Sequence, residues 1–250
     1  MDVAAYLARI GYSGAVNPTA EMLSGLHRAH LLAVPFENLD IPCGREIELD
    51  RDLLLRKVVE FKRGGFCYEL NGAFASLLSA LGFHVTLLSA RVPRQDGSPG
   101  PEFDHLTLRV DLEGPWLADV GFGDSFIEPL RLQPGLEQKQ DDRIFRTVAH
   151  DSAWRVEKKE ETSDWKTEYE FTLQPRALDE FVEMCRYHQT SPDSPFTQKR
   201  LCTRATADGR VTLSDMKLVT TRKGRKEERI LSSEEERMMV LKQDFGVVLK

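Results

Sequence analysis

The sequence contains no long apolar run: none approaches the roughly 20 residues that a transmembrane helix needs. It also lacks an excess of positive charge, because the formal net charge is −6 and the isoelectric point is about 5.6. A basic surface that gathers nucleic acid or anionic lipid is therefore not expected. Residues 1–4 lack the basic and apolar regions of a secretory signal. We expect a cytoplasmic protein with no nucleic-acid or membrane partner.

Side chains that commonly bind metals are also few and scattered. The four cysteines are far apart, without the C-x-x-C spacing of a zinc ribbon. In a reducing cytosol they are free thiols, and we interpret Cys43, Cys185 and Cys202 as buried structural residues. His27 and His30 are three residues apart on a predicted helix, but no acidic or thiol ligand is placed to complete a site. The sequence predicts no metal.

What remains is the composition of a folded protein, with 41% hydrophobic and 30% charged residues in a chain of 250. In the first third, apolar residues recur at helical spacing after Thr19, after Asp50 and after Cys67. From residue 84 onward, short β-rich runs alternate with Pro, Gly and Asp clusters, which is typical of a barrel or sandwich. The predicted strands cover residues 84–92, 103–112, 116–120, 144–149, 153–156 and 165–173.

The last part of the chain mixes strand and helix signals. Asp208-Gly209 and Lys223-Gly224 predict hairpin turns, and residues 232–235 form a capping-box pattern for a final helix that Gly246 would end. The sequence therefore predicts an α+β fold. Its three parts are a helical bundle at 1–83, a β-barrel at 84–188 and a smaller mixed element at 189–250.

The most informative stretch is RGGFCYELN at residues 63–71. Two glycines permit backbone conformations that other residues resist, so the chain can turn sharply into a helix that begins near Cys67. Unpaired N–H groups and the positive end of the helix dipole favour a thiolate there, and Arg63 is a possible cation that lowers the thiol pKa further. Most intracellular cysteines are small buried hydrophobes, but the glycine pair, the helix start and the downstream partners favour a nucleophile here.

The partners lie on two predicted strands. His105 occupies the polar side of an alternating strand together with Thr107 and Arg109, where an imidazole can accept the thiol proton. Asp119 is an acid in an otherwise apolar strand, and such a group is costly to bury unless it is hydrogen-bonded. An imidazole N–H would satisfy it and fix the ring tautomer. The alternative is that Asp119 only bonds backbone amides at a strand end.

Five motifs, in the same order along the chain, resemble those of the arylamine N-acetyltransferase family. They are VPFENLD at 34–40, RGGFCYELN at 63–71, FDHLTLRV at 103–110, LADVGFG at 117–123 and SPDSPF at 191–196. The FGVVL ending at 245–249 is also similar to the family. The resemblance implies a helical bundle, a β-barrel and an α/β lid around a cysteine-protease-like core, and its Cys-His-Asp triad maps onto Cys67, His105 and Asp119.

The resemblance also implies the activity, which belongs to xenobiotic metabolism. An acetyl group passes from acetyl-CoA to the cysteine and then to an arylamine, arylhydrazine or arylhydroxylamine in a ping-pong cycle that needs no metal. By the same mapping, Phe36, Phe122 and Phe196 line the aromatic acceptor pocket. Val92 and Gly123, again with Phe122 and Phe196, lie near the pantetheine arm of coenzyme A.

Other functions remain open at this stage. A transglutaminase-like thiol hydrolase or an amide synthase would use the same three residue types, and a catalytically silent binding protein would not need them. The chain departs from the family in two places. It stops soon after residue 249, which we expect to affect acceptor size and CoA affinity, and Asp124 follows Gly123 at a position that bears on acceptor charge.

Overall fold

The computed structural model describes residues 1–94, 96–160 and 162–249. Within these ranges, four helices lie in the first third of the chain and three more lie after residue 180. The helices are α1 (Val3–Ile10), α2 (Ala20–Ala33), α3 (Arg51–Leu55, continued by the π-helical turn Arg56–Glu60), α4 (Cys67–Ala80), α5 (Val182–Thr190, after the 3₁₀ turn Leu178–Phe181), α6 (Pro195–Gln198) and α7 (Glu234–Phe245). The predicted caps are confirmed: Thr19 and Asp50 accept backbone N–H bonds at the starts of α2 and α3. Helix α1, which was not predicted, is capped by Asp2, whose side chain accepts the N–H of Ala5.

Helix α4 is the centre of the helical part. Every residue from Cys67 to Leu78 is buried, so the helix is enclosed on all sides over its first three turns, polar residues included. Leu70, Phe74 and Leu77 are fully buried in the largest hydrophobic core. Such complete burial requires neighbours on all sides, and these are the other helices on one side and a sheet on the other.

Thirteen strands lie in the described part of the chain. They are β1 (Phe36–Glu37), β2 (His84–Arg91), β3 (His105–Asp111), β4 (Pro115–Ala118), β5 (Leu130–Arg131), β6 (Gln138–Gln140), β7 (Arg143–His150), β8 (Ala153–Glu160), β9 (Lys166–Thr172), β10 (Leu201–Thr206), β11 (Gly209–Ser214), β12 (Lys217–Arg222) and β13 (Arg225–Ile230). All six predicted strands are confirmed. The short strands β5 and β6 were not predicted, because they have too few residues to show a period-two pattern.

The larger sheet has eight antiparallel strands in the order β5-β4-β3-β2-β9-β8-β7-β6. It curls into a nearly closed barrel, because Pro134, just beyond β5, forms an isolated bridge to Thr147 in β7. The apolar side of β3, with Leu106 and Leu108, packs into the core around α4. The predicted α+β fold with a barrel-like sheet is confirmed.

The second sheet joins the two ends of the chain. Its order is β1-β10-β11-β12-β13, and the predicted hairpin turns separate β10 from β11 and β12 from β13. Phe36 pairs with Thr203, so a strand from the first third is the edge of the C-terminal sheet. Helix α7 packs on this sheet through Leu241 and Phe245. The predicted division at residue 189 is therefore crossed by strand pairing.

Neither a membrane span nor a metal cluster occurs among the described residues. No helix in those ranges is long and apolar enough to cross a bilayer, and no three His, Cys, Asp or Glu side chains there come together as metal ligands. His27 and His30 lie fully buried in the core instead. Both rings make edge contacts with Phe74, and His27 stacks on Phe126 at 5.7 Å.

His27 connects α2 to the loop that follows β4. Its Nδ1 lies 2.9 Å from the carbonyl oxygen of Ile127 and must donate, while its Nε2 accepts the backbone N–H of Asp119 at 3.0 Å. If Nε2 also carried a proton, that proton would point at the N–H of Asp119. These contacts therefore fit only the neutral ring with its proton on Nδ1. Burial lowers the pKa of His27 from 6.5 to about 4.

This neutral histidine predicts acid sensitivity. Above pH 6.5, His27 is neutral in both states and adds no pH dependence, but below it the unfolded chain binds a proton that the native state rejects. We expect His27→Gln to lose about 2 to 3 kcal/mol less unfolding free energy than the parent between pH 7 and pH 4.5, as measured by urea denaturation. Equal losses in both proteins would contradict the assignment.

Candidate active site

The turn into α4 depends on close packing. The predicted reason for the two glycines was unusual backbone dihedrals, and that is wrong, because neither has a positive φ. A side chain at Gly64 would lie 1.9 Å from the carbonyl oxygen of Pro35, and one at Gly65 would meet the carboxylate of Glu69 at 2.6 Å. The left-handed residue of this turn is Lys62, with φ 52°.

A buried network of five charges holds this turn against the loop that contains β1. Arg63 donates to Glu37 at 2.8 Å and to Asp40 at 3.0 Å. Lys57 lies 2.6 Å from both Asp40 and Glu69. Glu69 also accepts the N–H of residue 66, which caps α4. The network thus fixes the position at which α4 begins, and Cys67 is the first residue of that helix.

The expected effect of Arg63 on Cys67 is wrong. The guanidinium is engaged by Glu37 and Asp40, so it does not serve as the cation for the thiol. Burial raises the pKa of Cys67 well above its ordinary value; the N–H of Leu106, which bonds the sulfur, opposes this, and the charge of Asp104 adds to it. A lone thiolate is thus unfavourable here, and the thiol needs a partner that takes its proton.

His105 and Asp119 form a short buried contact. Nε2 of His105 lies 2.6 Å from Oδ2 of Asp119, and both side chains are almost completely buried. Burial alone would raise the pKa of Asp119, but attraction to His105 and hydrogen bonds outweigh it, and the pKa is lowered. An ionised carboxylate can only accept, so Nε2 carries the proton and Nδ1 is the basic nitrogen of the neutral ring.

Asn71 was not predicted as a site residue, yet it holds Asp119 in place. Its Nδ2 donates to Oδ1 of Asp119 at 2.9 Å and to the carbonyl of Leu106 at 2.6 Å, and its Oδ1 accepts the N–H of Val120 at 2.9 Å. The sequence signal was its position one helical turn after Cys67, on the same face of α4. Asn71 therefore connects α4, which begins at Cys67, to the strand that precedes Asp119.

Gly121 lies so close to Cys67 and Asn71 that no side chain fits at this position. A side chain at Gly121 would lie 2.8 Å from Cα of Cys67 and 2.7 Å from Nδ2 of Asn71. Gly123 has φ 93°, which favours glycine, and faces the ring of Phe36. Gly121 thus permits the contact between the loop after β4 and the start of α4.

A cavity of about 480 Å³ opens above these residues. Cys67 and His105 line it, whereas Asp119 lies behind His105. All five residues predicted to bind substrate or CoA line the same cavity: Phe36, Val92, Phe122, Gly123 and Phe196. Their roles toward a ligand stay predictions. Asp104 and His188, which were not predicted as site residues, also line the cavity.

The predictions for Asp124 and for the three other cysteines have different outcomes. Asp124 lines the cavity and pairs with Arg143 at 2.9 Å and Arg210 at 3.1 Å, so its charge is compensated. Cys185 and Cys202 are buried as predicted, but Cys43 is exposed, and its interpretation as a buried thiol is wrong. Cys43 lies in the turn after residue 40, where a small side chain has no core to enter.

Comparisons with known proteins agree across the chain. A family described as N-acetyltransferase matches residues 19–250. The pineal gland isozyme NAT-10 of arylamine N-acetyltransferase from Gallus gallus is 35% identical and aligns over 100% of this chain and 95% of its own length. Proansamycin X synthase from Amycolatopsis mediterranei is 32% identical over 94% of this chain and 93% of its own.

Solved structures give the same result. The arylamine N-acetyltransferase from Salmonella typhimurium superposes with a TM-score of 0.92 at 33% identity, covering 98% of this chain and 90% of that one. The Mycobacterium marinum arylamine N-acetyltransferase in complex with CoA gives a TM-score of 0.91 at 31% identity, covering 98% and 93%. Fold and sequence similarity therefore extend together over nearly the whole chain.

The charge network predicts a large stability loss on removal of its arginine. Arg63→Met leaves Glu37 fully buried without its guanidinium, so we expect unfolding free energy to fall by about 3 to 5 kcal/mol in urea denaturation. Arg56→Met is the matched control, because its contact with Glu60 is exposed and should contribute less than about 1 kcal/mol. Similar losses in both variants would show that the network does not stabilise the turn.

Asn71 predicts a change in pH dependence. Asn71→Ala removes a donor to the Asp119 carboxylate, so the pKa of Asp119 rises and the acid limb of Cys67 alkylation by iodoacetamide moves to higher pH. Asn38→Ala is the control, because Asn38 is equally buried but bonds the backbone at residues 196, 199 and 201. An acid limb unchanged in Asn71→Ala, or shifted equally in both, would exclude this role.

Proposed function

Because this chain belongs to the arylamine N-acetyltransferase family, we propose that it transfers the acetyl group of acetyl-CoA to an aromatic amine through a thioester on Cys67. The triad is Cys67, His105 and Asp119. The observation that carries the proposal is the buried 2.6 Å contact between His105 and Asp119 on the wall of the cavity that Cys67 also lines. It supports the proposal because it leaves the basic Nδ1 of His105 available to a thiol proton.

In the first half-reaction, His105 takes the proton of Cys67, and the sulfur attacks the carbonyl carbon of acetyl-CoA. The new C–S bond replaces the bond to the CoA sulfur, which leaves with the proton from His105 as the CoA thiol. The N–H of Leu106 and the start of α4 stabilise negative charge on the Cys67 sulfur. One thioester replaces another, so the step is close to isoenergetic, and the residues mainly position and activate the thiol.

In the second half-reaction, the nitrogen of the acceptor attacks the acetyl carbon on Cys67. His105 accepts a proton from that nitrogen and returns one to the departing sulfur, which restores the thiol and releases the amide. Asp119 stabilises the charged imidazole during both steps and keeps its orientation. Because CoA leaves before the acceptor enters, the kinetics are ping-pong.

The cavity lining divides between the two substrates. Phe36, Phe122 and Phe196 present aromatic surfaces suited to an aromatic acceptor, and the rings of Phe36 and Phe196 lie 6.1 Å apart. Val92 and Gly123 line another part of the cavity, which suits the narrow pantetheine arm of CoA. The apolar lining disfavours water at the thioester, which separates amine transfer from hydrolysis.

The intermediate can be measured directly. Incubation with acetyl-CoA should add one acetyl group to the intact protein by mass spectrometry, and an aromatic amine or hydrazide should remove it with formation of the amide. Cys67→Ala should take up no acetyl group, whereas Cys43→Ser, which removes an exposed thiol, should be acetylated like the parent. Retained acetylation in Cys67→Ala, or amidase activity without any adduct, would exclude the proposal.

Amide synthesis from a longer acyl thioester is a second candidate. The similarity to Proansamycin X synthase over 94% of the chain favours it, and the same Cys67 chemistry would serve. Half-reaction rates with acetyl-CoA and with longer acyl-CoA thioesters distinguish the two: preference for acetyl supports the transferase, and preference for a long acyl chain supports the synthase.

A further inference from the structure

A second imidazole–carboxylate pair lines the cavity of Cys67. His188 comes from α5 and Asp104 immediately precedes β3, and both lie on the cavity wall. Nε2 of His188 is 3.1 Å from Oδ1 of Asp104. Neither residue belongs to the triad, and neither is among the residues that the sequence assigned to substrate.

His188 has an unused hydrogen-bonding nitrogen. Its Nδ1 lies 3.1 Å from the hydroxyl of Ser194, which also accepts the N–H of Phe196. The ring packs edge-on against Phe196 at 5.0 Å, so its direction is fixed. Only 3% of His188 is exposed, yet its Nε2 makes no hydrogen bond within the described ranges. Its contact with Asp104 is short enough for a hydrogen bond but does not have the angle that a hydrogen bond requires. A buried polar atom in this state gains from a ligand that bonds to it.

Asp104 likewise retains capacity to accept hydrogen bonds. Its Oδ2 accepts the N–H of Val92 at a long 3.3 Å, and within the described ranges the contact of Oδ1 is the ionic one with His188. Asp124, the other carboxylate on the wall, is compensated by Arg143 and Arg210. No lysine or arginine is among the described residues that line the cavity, so Asp104 is the acid whose charge acts on its contents.

We propose that Asp104 and His188 form a polar subsite for a positively charged, N–H-bearing substituent of the acceptor, so that the protein favours cationic over neutral aromatic amines and disfavours anionic ones. An ammonium group has three donors and can bond both the carboxylate and Nε2 when Nδ1 of His188 carries the proton and donates a hydrogen bond to Ser194. The neighbouring rings of Tyr68 and Phe196, 6.1 and 5.0 Å from the His188 ring, supply aromatic surface beside it. This subsite rests on the function proposed above.

The amide N–H groups of pantetheine are the other possible donors to the same atoms. A neutral amide gains less than a cation does from an uncompensated carboxylate. The charge of Asp104 also acts at the Cys67 sulfur, so the pair is within reach of a substituent on an acceptor whose amine faces that sulfur. Both observations favour the acceptor, and separate half-reactions distinguish the two sources.

The test uses three para-substituted anilines that differ in charge: 4-(aminomethyl)aniline, 4-methylaniline and 4-aminobenzoate. Each is the acceptor for protein already acetylated on Cys67, and the acetylation rate with acetyl-CoA is measured separately. The variants are Asp104→Asn and His188→Phe. Asp193→Asn is the matched control, because it removes one charge from the exposed loop next to Ser194, outside the cavity.

For each acceptor, the ratio of variant to parent kcat/KM cancels the intrinsic reactivity of the aniline. We expect Asp104→Asn to lower this ratio about tenfold for the cationic aniline, to change it less than about twofold for 4-methylaniline and to raise it for 4-aminobenzoate. His188→Phe should lower it for the cation. Asp193→Asn should give ratios near one.

Three results would overturn the subsite. Equal ratios for all three acceptors would show that Asp104 acts on structure or on the thiol alone. A change confined to acetylation by acetyl-CoA would assign the pair to pantetheine. Equal effects of Asp193→Asn would show a remote charge effect. Absence of Cys67 acetylation in the parent protein would instead reject the proposed function, so the two failures are distinguishable.

Discussion

The buried carboxylate of Asp119 is the constraint on which the rest of the site depends. A charged group at this depth is stable only when donors surround it, and the donors come from His105 on β3, Asn71 on α4 and the N–H of Gly121. The backbone N–H of Asp119 in turn bonds His27 on α2. Satisfying one residue therefore fixes two helices and the central strand relative to each other, and Cys67 is carried on one of those helices.

The ionisation of the Cys67 thiol also depends on the free-energy cost of burying a charge. Burial makes an isolated Cys67 thiolate unfavourable, so in the proposed reaction the sulfur becomes nucleophilic as its proton moves to His105. Burial also keeps this sulfur from being permanently ionised, and an ionised, exposed sulfur is the form most readily oxidised. Arg63 and Lys57 neutralise the carboxylates beside the turn and position the start of α4. They do not provide a positive charge for the Cys67 sulfur.

The cavity combines aromatic walls with unequal charges. One wall carboxylate, Asp124, pairs with two arginines, whereas the other, Asp104, contacts His188 and the N–H of Val92 and has no arginine or lysine partner among the described residues. The β1–β10 pairing brings Phe36 and the 196–203 region to the same opening. The cavity is therefore assembled from all three predicted parts of the chain, which explains why none of these parts contains a complete site.

Local signals in the sequence determined a large share of this protein. Helix caps at Thr19 and Asp50, the alternation around His105 and the glycine turns at 209 and 224 act over a few residues, and each was readable. The order of the five motifs identified the family and nominated Cys67, His105 and Asp119. Only the tertiary structure decided what those residues meet: that Arg63 faces Glu37 and Asp40, that Gly121 makes room for Cys67, and that Asn71 and His27 support Asp119. These partners are 23 to 92 residues apart, and burial and charge compensation across such separations depend on three-dimensional packing, which no local pattern encodes.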